Sequence, residues 1–234
     1  MKNKKVKRML TIVSLVGILM IGSIMAYFTD ADTATNTFTV GQVSLDLQEP
    51  NWDPDDAEDL VPNEEIQKDP QIKNDGVNDE YVFVEVIVPY DNISTVNDAG
   101  NKTAAADTEL FSYDVNTGWV EVGSSKKDTV AKTVTHLYAY GTSSAMTALD
   151  AGDTTPTLFD SVRFVNITEG STLEGQSTNI VINGYGIQTT SVNVDENGAG
   201  KTAPADVWAV LSVQTPSTTV DVTEDAKTDI KTGN

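Results

Sequence analysis

The chain has 234 residues, a formal net charge of −20 and no cysteine. Disulfides, thiolate nucleophiles and Cys-ligated zinc are therefore excluded, and the acidic balance argues against nucleic acid and anionic membrane surfaces as partners. Five of the 15 basic residues (Lys2, Lys4, Lys5, Lys7 and Arg8) open the chain, so ten remain against 35 acidic ones beyond them, a balance near −25.

Lys2 to Arg8 forms a positive n-region, and Met9 to Ala26 forms an apolar h-region. This is the pattern of a signal peptide over residues 1–26. Ala26 is small enough to precede a cut, which places the cleavage region at Ala26, Tyr27 and Phe28, although Ile24 is large for the third position before it. The run also reaches the lower limit for crossing roughly 30 Å of hydrocarbon, so a retained anchor is the alternative. Either way the positive flank stays cytoplasmic and the acidic remainder lies outside, with membrane contact only through the leader.

Residues 27–37 form a flexible segment in which Thr29 to Thr37 is polar and rich in Thr, Asp and Ala, with little reason to be rigid on its own. From Phe38 a half-buried strand is expected, with Phe38, Val40, Val43, Leu45 and Leu47 alternating and an irregularity at Gly41. Glu49 to Asn63 holds three prolines and six acidic residues and reads as a surface loop. Its Asp53, Asp55, Asp56 and Asp59 are candidate Ca²⁺ ligands, since that ion takes clustered carboxylate oxygens; the competing reading is a solvated acidic loop.

Ile66 to Lys73 predicts a short strand with Ile66 and Ile72 inward and Pro70 at an edge or bulge. Tyr81 to Val88, YVFVEVIV, is β-branched and aromatic on both faces, so it predicts a central strand that ends at Pro89. Glu85 within it is a candidate buried carboxylate, or a residue that turns outward on one face or pairs with a basic neighbour. Leu110 to Asp114 and Gly118 to Val122 predict a hairpin about Asn116-Thr-Gly118. Val130 to Tyr140 alternates, with Val134, His136, Tyr138 and Tyr140 on one face. Ser144 to Leu149 predicts one helical turn. Leu158 to Ile167 and Asn179 to Thr190 are further strands, and Pro204 opens a short helix with Val207, Trp208 and Leu211 apolar. Residues 38–214 thus make an all-β domain, an antiparallel, jelly-roll-like β-sandwich of roughly eight to nine strands behind an N-terminal apolar helix. Residues 215–234 predict a disordered tail.

Two stretches carry a family resemblance. Gly22-Ser-Ile-Met-Ala-Tyr-Phe-Thr-Asp30, followed by Asn36-Thr-Phe-Thr-Val-Gly-Gln-Val-Ser-Leu-Asp-Leu47, resembles the TasA/camelysin family, whose pattern is an AYF[ST]D-like junction and then NTF-x-x-G-x-[LV]-x-L-x-L. Pro62 to Val86 is similar to that family's turn and the strand after it. The resemblance is specific over residues 22–89 and weak beyond. It implies export with a leader cut by a SipW-type signal peptidase, a β-sandwich at the cell surface or in the biofilm matrix of a Gram-positive cell, and self-assembly into fibres. In that picture the freed N-terminal segment adds as a strand to the next subunit, with Phe28, Phe38 and Val40 as donor-strand candidates. Camelysin itself has been described as a metallo-endopeptidase.

No chemical motif stands beside the resemblance. A zincin needs His-Glu-x-x-His, and this chain has one histidine, His136. There is no G-x-S-x-G element and no phosphate or dinucleotide fingerprint. The residues therefore point to no catalytic set and no cofactor beyond the candidate Ca²⁺. A cell-surface peptidase or a monomeric surface-binding module are the alternatives to a structural matrix protein.

Overall fold

A computed structural model describes residues 43–57, 60–168, 173, 177–192, 202–213 and 227–231, all within the unit Gly41–Asn234. The leader, Ala26, Tyr27, Phe28, Phe38, Val40 and Asp59 lie outside the described residues.

The chain forms an antiparallel β-sandwich. Among the described residues its strands are β1 (Leu45–Gln48), β2 (Glu65–Gln67), β3 (Gln71–Asn74), β4 (Glu80–Ile93), β5 (Ala106–Glu109), β6 (Phe111–Ser112), β7 (Trp119–Glu121), β8 (Lys126–Asp128), β9 (Thr133–Tyr140), β10 (Ser161–Phe164), β11 (Ser177–Gln188) and β12 (Lys227–Lys231), with an α-helix, α1 (Pro204–Leu211), before β12. The large sheet runs β12-β11-β4-β9-β7, with β5 added to β4 and β8 added to β9. The facing strands form two short ladders, β1-β3 and β2-β10-β6.

β4 is central because both of its faces are covered. Val82, Val84, Val86 and Val88 point into the main core with Ile66, Ile72, Phe111, Val162 and Phe164. Each such side chain contributes roughly 1.5–3 kcal/mol on burial. On the other face, Phe83 packs with Ala139 and Ile187 beneath Val207 and Leu211 of α1. Pro204 opens that helix at a position where its missing N–H costs nothing, and Val207 and Leu211, one turn apart, supply the buried stripe.

Several expectations need correction. β4 does not end at Pro89. It gives up β11 after Ile87 and takes β5 from Tyr90, so the missing proline N–H falls in the gap between the two partners. The Ile66–Lys73 stretch is two strands, since the chain leaves the β10 ladder after Gln67 and joins β1 from Gln71. Both isoleucines are buried as expected, at 2% and 0% exposure. Leu110–Asp114 and Gly118–Val122 do not pair with each other. β6 goes to β10 and β7 goes to β9, because Phe111 and Trp119 bury in the core from opposite layers. Ser144–Leu149 makes isolated bridges, Gly141 to Met146 and Leu149 to Glu80, in place of a helical turn. In the tail, Lys227–Lys231 pairs with β11, and the rest of 215–234 lies outside the described residues.

Candidate functional site

The alternation of β9 turns Val134, His136 and Tyr138 towards one cleft of about 580 Å³, whose walls include Tyr90, Glu109, Tyr113 and Lys127. Register explains the neighbours of His136. Glu121 on β7 stands opposite Tyr138, and Glu109 closes β5 beside Tyr90. The imidazole lies between the two carboxylates, with Nε2 3.0 Å from Glu109 Oε2 and Nδ1 3.1 Å from Glu121 Oε1. Its side chain is 17% exposed. The hydrogen bond to Glu109 raises its pKa first, burial opposes, and Glu121 raises it further.

Tyr113 and Tyr138 share a hydrogen bond at 3.1 Å. Burial pushes Tyr138 up to about 12 and drives Tyr113 upward as well, so neither phenol is a base near neutral pH. At the cleft's margin Lys127 Nζ sits 4.0 Å over the Tyr90 ring and 2.7 Å from Asp107 Oδ2.

Two further ionisable groups are more deeply buried. Lys68, fully buried, meets Glu49 Oε1 at 2.6 Å and lies 4.5 Å over the Trp52 ring. Glu80 at the start of β4 is also fully buried. By contrast, Glu85 faces outward, half-buried, where its Oε2 accepts from Asn183 Nδ2 at 2.9 Å and from Tyr185 OH at 3.0 Å.

The acidic loop is organised differently from a calcium loop. Asp53 Oδ1 accepts the Asp55 amide at 3.0 Å and so caps the 3₁₀ turn Pro54–Ala57. Asp55 and Asp56 are exposed on that turn. Among the described residues no group of three or more His, Asp or Glu converges on a metal position. Sequence reasoning found His136 but missed Glu109, Glu121, Lys68 and Glu80. The partners of His136 follow from the β7-β9 register, which the mistaken hairpin concealed. Lys68 and Glu80 carry no local signal, since each looks like a charge in a loop or at a strand end.

Fold and site together define an acidic, cysteine-free β-sandwich whose ionisable groups are gathered into hydrogen-bonded clusters. The chain belongs to the camelysin family: the model for the camelysin metallo-endopeptidase matches residues 2–151, a stretch that runs through β9. No curated protein matches the chain. Membership supports a protein of the cell surface or the medium outside it.

The family's description implies a metal, and the residues around His136 do not fit one. A metal needs a ring lone pair, and here each ring nitrogen already faces a carboxylate. The same arrangement predicts a pH response. Stability from the His136 pairs is fully present below the ordinary histidine value and lost as pH rises through the raised folded value. His136→Gln should thus cost about 0.5–1 kcal/mol below pH ~6 and less at alkaline pH, as checked by urea unfolding at both ends. An equal cost at both ends refutes the charged pairing.

Proposed function

We propose that this chain is a secreted cell-surface or biofilm-matrix protein that assembles head to tail into fibres. The N-terminal segment, with Phe28, Phe38 and Val40 as anchors, adds as a strand to a sheet edge of the next subunit. The observation that carries this reading is the shape of the smaller layer. It consists of two short ladders, and β1, into which that segment leads, pairs among the described strands with β3 alone. A two-stranded ladder of four residue pairs is marginal by itself, and a donated strand would extend such a ladder. Head-to-tail addition does not close, so it yields filaments. The charge near −25 left without the five basic leader residues opposes the approach of like subunits, and salt relieves that repulsion.

The test compares the protein beginning at Tyr27 with one lacking residues 27–37, by electron microscopy over a salt series. Filaments that lengthen with salt and vanish on deletion support strand donation. Filaments that survive the deletion end it. The family's description favours one other reading, a metallo-endopeptidase. Chelator-sensitive cleavage of casein by the purified protein, lost in His136→Ala, would put that reading first. A protein that stays monomeric and cleaves nothing is a surface-binding module.

A further inference from the structure

We propose that Glu80 is a proton-operated latch that holds β1 on the large sheet: the neutral carboxyl lets β1 dock, and the ionised one loosens it. The geometry makes Glu80 unusual. Its backbone is pinned in both directions to Leu149, N–H to carbonyl at 3.0 Å and carbonyl to N–H at 2.8 Å, so the residue cannot back out towards water. Its side chain is fully buried, and no side chain hydrogen-bonds to Oε1 or Oε2; the Ser44 backbone amide alone pulls on the carboxyl. An ionised carboxylate in that position has no counter-ion and keeps most of its desolvation cost.

The walls of the site show what Glu80 controls. β11 passes beneath it with Gly186, where a Cβ would stand 2.9 Å from Glu80 Oε2 and 2.7 Å from Leu45 Cδ1. The Glu80 carboxyl and the Leu45 side chain therefore both close on the space that Gly186 leaves open. Leu45 is the first residue of β1, so the hydrophobic lid over the carboxyl is the root of that strand. Gln188 of β11 stands opposite in register.

No charged side chain from the surrounding elements is paired with it. Asp46 on β1 accepts from Gln48, Asp75 before β4 pairs with Lys73, Asp79 and Asp150 flank Glu80 and its partner Leu149 in sequence, and β11 brings only Gly184, Gly186 and Gln188 to this face of its end. Burial therefore raises the carboxyl from an ordinary 4.5 to about 7, against a lesser pull from the Ser44 amide.

The sign follows from linkage. A carboxyl with a raised folded pKa takes up protons on docking, so docking weakens as pH climbs from its ordinary value and the loss is complete above about 7. Mild acid therefore tightens β1 and neutral to alkaline medium releases it. The latch is local and does not depend on fibre assembly; its failure would leave that reading untouched, and the reverse holds too.

Hydrogen exchange of the purified protein tests it at about pH 5.5 and about pH 8.5, with rates over 45–48 converted to protection factors so that the intrinsic pH dependence cancels. Wild-type protection there should fall by about tenfold or more between the two conditions. Glu80→Gln, isosteric and without charge, should hold its protection at both, and Glu80→Met gives the same flat profile should the Gln variant not be recovered. His136→Gln should keep the wild-type fall, because His136, whose pKa is raised by its own carboxylate neighbours, is not the latch. Equal wild-type protection at the two conditions overturns the proposal, as does the same fall in the Glu80 variants.

Discussion

Lys68→Met is expected to destabilise the protein by about 3–5 kcal/mol. The reason is the carboxylate it strands. Glu49 and Lys68 have side-chain exposures of 1% and 0%, and the ammonium lies 2.6 Å from one carboxylate oxygen and 2.8 Å from the other. Burial lowers the pKa of Lys68, and the contact with Glu49 opposes that. Removing the amine therefore leaves a buried charge without its counter-ion, together with a Trp52 face that has lost its cation. Beside the pair, Asp69 accepts from the Asn51 amide at 3.0 Å and from its side chain at 2.7 Å. These contacts fasten the acidic loop to the crossover where β2 gives way to β3.

The double variant Lys68→Met, Glu49→Leu should recover most of the loss, because a well-packed apolar pair of similar volume is often neutral or better. Urea unfolding of the two single variants and the double completes the cycle. A loss under about 1 kcal/mol in Lys68→Met would show that the pair is dispensable.

The contrast between that cluster and β4 explains what the sequence made legible. Val82 to Val88 announces itself because burial on two faces leaves a continuous β-branched run, and such a run has one good home in a sandwich. Ile66 and Ile72 are readable for a different reason: alternation reports a half-buried strand wherever it persists for a few residues. The helix at Pro204 was readable from its first residue and the spacing of Val207 and Leu211.

Partner choice was not readable in this way. Leu110–Asp114 and Gly118–Val122 look like a hairpin locally, yet they serve opposite layers, and only the packing of Phe111 on Phe164, at 5.5 Å between ring centroids, and of Trp119 on Tyr140, at 5.6 Å, decides it. Pro89 looked like a stop because a proline costs a strand one donor. It costs nothing where two neighbours exchange. The candidate site depended on these pairings. His136 was visible as a residue, but Glu109 and Glu121 reach it through β5 and β7, whose places in the large sheet no local pattern fixes. Glu80 was hidden for a different reason: a glutamate preceding Tyr81 reads as the polar start of a strand, and its burial is imposed by Leu45 and Gly186 from elements distant in sequence.

Gly141→Ala should be the other costly change, at about 3 kcal/mol or more. Gly141 has φ +143, and a Cβ there would lie 2.5 Å from the Ala145 carbonyl oxygen, 2.6 Å from Met146 Cα and 2.8 Å from Thr147 N. All three are backbone atoms, so no side chain can rotate away. The tight return after β9, closed by Thr142 N–H to the Ala145 carbonyl at 2.8 Å and by Thr147 N–H to the Tyr140 carbonyl at 2.8 Å, has to open instead. That return also delivers Met146, whose amide donates to the Thr202 carbonyl at 2.8 Å just before α1 and whose side chain joins Val207 and Leu211 in the second core. The damage should therefore spread to the helix that covers Phe83, and hydrogen exchange over 204–211 should rise with the loss of stability.

Gly123→Ala supplies the control. Its φ is +75 with nothing within 4 Å of the added atom, so it carries the left-handed backbone cost alone, about 1–2 kcal/mol. If the two variants lose stability equally, the contact at Gly141 is relieved at no cost and the return is not a rigid link between β9 and α1. A larger loss at Gly141, with faster exchange confined to 141–147 and 204–211, makes this turn the joint through which the strand bearing His136 is held to the outer face of the sheet.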